Sequence, residues 1–208
     1  MRLRRPGLAA GLALAVLGAA GSAQAQGRDP LTGAVVDLRM LTVSLPSGAG
    51  WTPSLSDGGV VPGRGFGGEA GASVFVGPGR FRRLALGVTA LGAQGRATAL
   101  DGPTVTTRLL ALAPQATLAF GHRDGWSYLS AGAGAASVRS EADGGDPSPV
   151  SWGLVVHYGG GARWFVSRHV AVSLDLRFWA LTPRAATAAR AAGAANTRVA
   201  LGAGVSIH

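Results

Sequence analysis

The chain has 208 residues, a formal net charge of +9 and only 14% charged side chains, against roughly a quarter in typical soluble domains. It contains no cysteine, which excludes a disulfide framework, a thiolate metal site and a lipid anchor on an N-terminal cysteine. Every basic residue is arginine. No aromatic-interleaved basic stripe accompanies these arginines, so the sequence carries no nucleic-acid footprint and no nucleic-acid partner is expected.

Residues 1–25 read as an export signal. Arg2, Arg4 and Arg5 form a basic start, residues 8–20 are an apolar run, and Ala23-Gln24-Ala25 is a small-x-small cleavage site. The apolar run is shorter than the roughly 18 to 20 residues that a spanning helix needs. Cleavage after Ala25 leaves residues 26–208 as one domain and lowers the net charge from +9 to +6.

Beyond the signal the dominant pattern is a period of two, the repeat of a strand whose faces meet different surroundings. A first strand is expected over 34–45, with Val36, Leu38 and Met40 on one face and Asp37 and Arg39 on the other. A Gly, Pro and Ser-rich loop over 46–64 separates it from a second strand over 65–76, where Glu69 lies opposite an apolar face beginning at Phe66. Gly77-Pro78-Gly79-Arg80 is a tight turn. The third strand, over 81–94, alternates Leu84, Leu86 and Val88 with Arg83, Ala85 and Gly87, and a longer connection over 95–103 follows. The fourth strand, over 104–120, is interrupted by Pro114, which implies a bulge or a fray because its ring cannot donate to a ladder. After a short turn over 121–125, a weakly patterned, Ala/Gly/Ser-rich fifth strand runs over 126–139 and ends in a loop over 140–151.

The sixth and seventh strands form the clearest hairpin. In the second arm Val170, Val172, Leu174, Leu176 and Phe178 share one parity, and Ala171, Ser173, Asp175, Arg177 and Trp179 share the other. The first arm alternates Leu154, Val156, Tyr158 and Trp164 with Val155, His157, Arg163 and Phe165, and only Ser167, Arg168 and His169 separate the arms. Each arm is longer than the usual soluble strand and matches the roughly 9 to 11 residues that cross a bilayer at a tilt. An alanine-rich connection over 183–196 leads to the eighth strand, over 197–208, with Arg198 on its less apolar face.

Long and short connections therefore alternate along an even number of strands, the pattern of an outer-membrane barrel with short periplasmic turns and long external loops. The fold class expected is all-β: an eight-stranded antiparallel up-and-down transmembrane barrel. Its lumen would hold Asp37, Arg39, Glu69, Arg83, Arg163, Asp175, Arg177 and Arg198, sharing their charges in one network because unpaired charge is costly where water is scarce. The competing reading is a soluble barrel with those charges on its wet face. Trp126, Tyr128, Trp164 and Phe165 beside the short turns, with Trp152 and Trp179 near the long loops, are expected to form interfacial girdles.

The hairpin resembles the penultimate hairpin of the OmpA-like and OmpX-like family of small eight-stranded outer-membrane barrels, through Gly159-Gly160-Gly161-Ala162-Arg163-Trp164-Phe165, the turn Ser167-Arg168-His169, and the Ser-Leu-Asp-Leu-Arg-Phe run over 173–178. The resemblance implies a monomer in the outer membrane of a Gram-negative bacterium, with outer-membrane lipid, lipopolysaccharide and the outer-membrane assembly machinery as partners. The family ends in an aromatic residue that this machinery reads. Here Ile207-His208 stands in that position, implying a weaker signal or an imidazole in the ring's place.

The sequence offers little for catalysis. None of His122, His157, His169 or His208 has a serine two places on, and no Gly-x-Ser-x-Gly elbow occurs. The glycine run over 63–68 lacks the lysine and helix of a phosphate loop. Glu141, Asp143 and Asp146 read as a solvated acidic loop rather than a calcium site. No cofactor, metal or enzyme activity is expected. The roles expected are a platform that meets the surroundings through its long loops, a small passive channel, or a soluble periplasmic binding barrel.

Overall fold

A computed structural model describes residues 33–46, 60–76, 82–100, 102–122, 125–144, 152–182 and 194–208. The signal segment, the expected turn at 77–80 and most of the loops over 46–64, 140–151 and 183–196 lie outside the described residues. Eight strands follow in order: β1 (Ala34–Ser44), β2 (Arg64–Val76), β3 (Arg82–Thr98), β4 (Thr104–His122), β5 (Gly125–Ala142), β6 (Trp152–Phe165), β7 (Val170–Leu181) and β8 (Asn196–Ile207). Each pairs antiparallel with its sequence neighbours, and β8 returns to β1 to close the barrel.

The cross-strand register fixes the tilt. Following partners around the wall from Ala34 leads through Val74, Leu86, Ala116, Ala131, Tyr158 and Phe178 to Val199. The Val199 amide donates to the Ser44 hydroxyl at 2.9 Å, so one circuit advances ten residues along β1. Ten residues over eight strands correspond to a tilt of about 40°, inside the range of membrane barrels.

β3, β4 and β5 are longer than their periodicity suggests, at 17, 19 and 18 residues. The expected connection over 95–103 is strand as far as Thr98, and the Thr98 and Thr104 hydroxyls hydrogen-bond at 2.9 Å where the hairpin ends. β-branched threonines keep the ladder going above the apolar part of the wall. Pro114 produces no bulge, but the ladder to β5 lapses at Ala113 and Pro114, the local fray that a ring without an N–H implies. The register between β4 and β5 is the same at Leu112↔Ala135 and Gln115↔Gly132, so no residue is inserted; on its other side Pro114 lies opposite Val88 in the ladder to β3.

The outer surface is an apolar belt. Met40 and Phe66 are each 76% exposed, and Leu86, Leu112, Leu129, Leu154, Leu176 and Leu201 point the same way. Such a continuous face is stable against hydrocarbon and not against water, which excludes the soluble-barrel arrangement. Trp152, Tyr158 and Trp164 face outward on this belt. Trp126, Tyr128 and Trp179 do not: all three are buried in the lumen, and Phe165 packs on Trp126 at 5.6 Å between ring centroids. The expected girdle is therefore smaller. An aromatic ring suits either a membrane interface or a barrel interior, and here strand parity decides.

Candidate functional site: a three-layered lumen

Inward side chains fill the barrel in three layers. At the short-turn end, Val35, Ala119, Trp126 and Tyr128 form an apolar cluster with Phe75 and Phe165. The His208 ring lies 5.1 Å from both Trp126 and Phe165, and its amide donates to the His169 carbonyl at 2.9 Å. The imidazole thus occupies an aromatic position in the packing of this rim.

The half toward the long connections is also apolar, with Leu41, Val43, Leu45, Leu91, Leu109, Val138, Val155, Trp179 and Leu181 in one cluster. The sequence assigns only eight charged residues to the lumen. The apolar filling lies in the upper turns of the strands, where the inward parity switches to large aliphatics. His157 is fully buried here and stacks on Trp179 at 4.7 Å and 29°.

Between the two lies the charge layer, which brings together six of the eight residues read as lumen charges. Arg163 Nη2 holds both Asp37 oxygens, at 2.9 and 2.8 Å. Asp37 Oδ1 also faces Arg39 Nη2 at 3.0 Å, and Arg39 Nη1 donates to Glu69 Oε1 at 2.6 Å. Glu69 Oε1 then meets Arg177 Nη2 at 3.3 Å, and Arg177 Nε donates to Asp175 Oδ1 at 2.8 Å. The Tyr128 hydroxyl donates to the other Asp175 oxygen. The result is a chain of alternating sign, with three arginines and three carboxylates, in which no two like charges are consecutive. Alternation and neutrality offset the several kcal/mol that each buried ion costs to desolvate.

Three neutral residues complete the layer. Gln115 Oε1 accepts from Arg177 Nη1 at 3.1 Å, and Ser206 Oγ accepts from Arg163 Nε at 2.9 Å while donating to Asp37 Oδ1. Tyr128 lies under the Arg163 guanidinium, 4.3 Å from its carbon, and Arg163 also lies 5.3 Å from the Trp126 ring. Gln115 and Ser206 have the inward parity in the sequence. Tyr128 was legible only through its partner, since it lies opposite Gly161 in the glycine run of β6.

That glycine makes room for the ring: a Cβ on Gly161 would stand 2.2 Å from the Leu174 carbonyl oxygen and 2.6 Å from the Tyr128 hydroxyl. Gly161→Val is expected to cost about 1–3 kcal/mol by overpacking. Urea unfolding of the refolded variant measures it, and a midpoint equal to that of the parent would contradict this reading of the glycine.

The two remaining charges behave differently. Arg198 has the inward parity, but its Nη1 donates to the Leu45 carbonyl at 2.9 Å rather than to a carboxylate. It stands near the long-connection rim, above the apolar cluster, beyond reach of the charge layer; the expectation that it shares those carboxylates is corrected. Arg83 has its backbone opposite Ala119 in the β3–β4 ladder, and its side chain lies outside the described set.

No protein-family model matches the sequence, and no curated protein matches it. Among solved structures, the fold is similar to that of Neisserial surface protein A (NspA), with a TM-score of 0.53 and 17% identity over 85% of this chain and 97% of that one. The N-terminal β-barrel domain of Pseudomonas aeruginosa OprF matches with a TM-score of 0.45 and 14% identity, over 86% of this chain and 98% of that one. Ail, the attachment invasion locus protein of Yersinia pestis, matches in its complex with the heparin analogue sucrose octasulfate, with a TM-score of 0.45 and 10% identity over 84% and 96% of the two chains. With eight antiparallel strands closed in sequence order and an apolar face turned outward, the chain has the fold of the small eight-stranded outer-membrane β-barrels.

Proposed function

We propose that the protein is a sealed barrel of the Gram-negative outer membrane that acts as a non-enzymatic platform, meeting its surroundings through the long connections at one rim. The observation that carries this reading is the filled lumen. Two apolar layers close the ends of the barrel, and a neutral, hydrogen-bonded charge layer crosses it between them. A passive channel needs a continuous hydrated path, and a eight-stranded interior is just wide enough for its own side chains. The charge layer then serves as structure, and recognition falls to the external rim.

Planar-bilayer recording of the full, signal-processed protein is the test. The expected result is no steady open state; a stable single-channel conductance would favour the channel. Location is tested separately by membrane fractionation together with heat-modifiable gel migration, in which the unheated protein should run as a compact species and co-fractionate with the outer membrane.

A further inference from the structure

We infer that His157 is an acid-sensitive latch on the lumen: a proton on its imidazole breaks the apolar closure toward the long connections and drives the barrel open. The latch belongs to the wall itself and holds whatever role the external rim plays. His157 and Trp179 lie opposite each other in the β6–β7 ladder, both fully buried, with their rings stacked at 4.7 Å. On its other side His157 lies opposite Gly132, where a Cβ would stand 2.5 Å from the imidazole Nε2. The ring is thus held between an indole and bare backbone.

Nothing there accepts a proton from it. Neither Nδ1 nor Nε2 has a hydrogen-bond partner among the described residues. Buried polar atoms are nearly always paired, so two orphan nitrogens on one fully buried ring call for a reason beyond packing. A neutral imidazole gives up a hydrogen bond or two at this position. An imidazolium gives up the solvation of a whole charge.

The surrounding charges offer no relief. On β7, Arg177 lies opposite Gly159, one inward position from His157 toward the charge layer, and on β8 Arg198 lies opposite Trp179. A proton would therefore set a third cation beside two arginines. The carboxylates are already engaged: Asp175 accepts from Arg177 Nε at 2.8 Å and from Tyr128, and Glu69 Oε1 is shared by Arg39 and Arg177. Of these groups Arg177 and Asp175 are the ones whose fields reach the ring. β5 and β4 carry no charge at this height, since Gly132 is followed across the ladder by Gln115, whose Oε1 is taken by Arg177. On β6 itself Val155 and Gly159 flank the histidine.

Opening the wall returns the ring to water, where imidazole binds a proton below about pH 6. The open chain then holds one proton more than the closed barrel. Stability therefore rises with pH through this window and is lost as acid is added.

The test uses the full, signal-processed chain refolded in neutral detergent micelles, with urea unfolding followed by tryptophan fluorescence at a series of pH values. Between about pH 6 and pH 5 the folding equilibrium constant of the parent is expected to fall about tenfold more than that of His157→Phe, which keeps a ring on Trp179 and has no proton to gain. His157→Leu repeats the comparison in a second packing, and heat-modifiable migration shows which variants are folded. His169→Gln, in the exposed turn of the same hairpin, should keep the full acid dependence of the parent. The carboxylates of the charge layer are common to all four proteins, so the difference between profiles belongs to the histidine. Parallel profiles for the parent and either folded His157 variant, or a profile flattened equally by His169→Gln, would overturn the inference.

Discussion

Arg39→Leu is expected to lower the unfolding free energy of the barrel by about 3–5 kcal/mol, the range for removing one partner of a buried ionic network. Arg39 is buried between two carboxylates, 3.0 Å from Asp37 and 2.6 Å from Glu69. Without it, Asp37 keeps Arg163, but Glu69 keeps only the longer contact to Arg177 at 3.3 Å, and the layer carries an uncompensated negative charge. A leucine fills part of the volume without replacing the cation. The double variant Arg39→Leu/Glu69→Leu restores neutrality and should recover more than half of the loss, because the two residues belong to one network and their effects are not additive. Equilibrium urea unfolding in micelles, followed by tryptophan fluorescence, measures both. A single variant within about 1 kcal/mol of the parent would mean that the layer is solvated and its pairing incidental.

Trp179→Ala is expected to cost a similar amount, about 3–5 kcal/mol, through a different term: the loss of a large buried side chain and the void it leaves. Trp179 is among the largest fully buried side chains, and its ring is the stacking partner of His157. Trp179→Phe keeps a ring against the imidazole and should cost only about 1–2 kcal/mol. The same variants separate stability from sealing. The void opens in the apolar half, and the charge layer below it stays intact, so Trp179→Ala should remain electrically silent in a planar bilayer. A steady conductance in this variant would show that the apolar half, rather than the charge layer, closes the barrel.

Much of this arrangement is written in strand parity. Along β7, Ser173, Asp175, Arg177 and Trp179 alternate with Val172, Leu174, Leu176 and Phe178 so regularly that facing either hydrocarbon or a confined interior explains every residue. The same parity in β1, β2 and β6 sends Asp37, Arg39, Glu69 and Arg163 inward, and charges confined together must pair. Which charges pair is not a property of any one strand. It follows from the ten-residue stagger of the closed wall, which sets Asp37 of β1 beside Arg163 of β6 and Ser206 of β8. β5 shows the other limit. Its small residues leave no period to read over Ala131–Ala136, so the inward turn of Tyr128 and Trp126 emerges only from their pairing with Gly161 and Arg163 across the ladder to β6. Arg198 has the right parity and the wrong height, a distinction that a period of two does not carry.

The closing seam gives the charge layer a place in time as well as in space. Asp37 reaches Arg163 across 126 residues of chain and Ser206 across 169, and both contacts require β1 and β8 to be side by side. The close approach there leaves no room for a Cβ on Gly204, which would stand 2.0 Å from the Leu38 carbonyl oxygen. Contacts of such sequence separation form late, after the loop-closure entropy has been met. Until then the wall is an open sheet, and Asp37 and its arginine partners keep their water. Dehydration of the network and closure of the wall are therefore one event, which makes the final step of assembly all-or-none and leaves a half-closed barrel no stable place to rest.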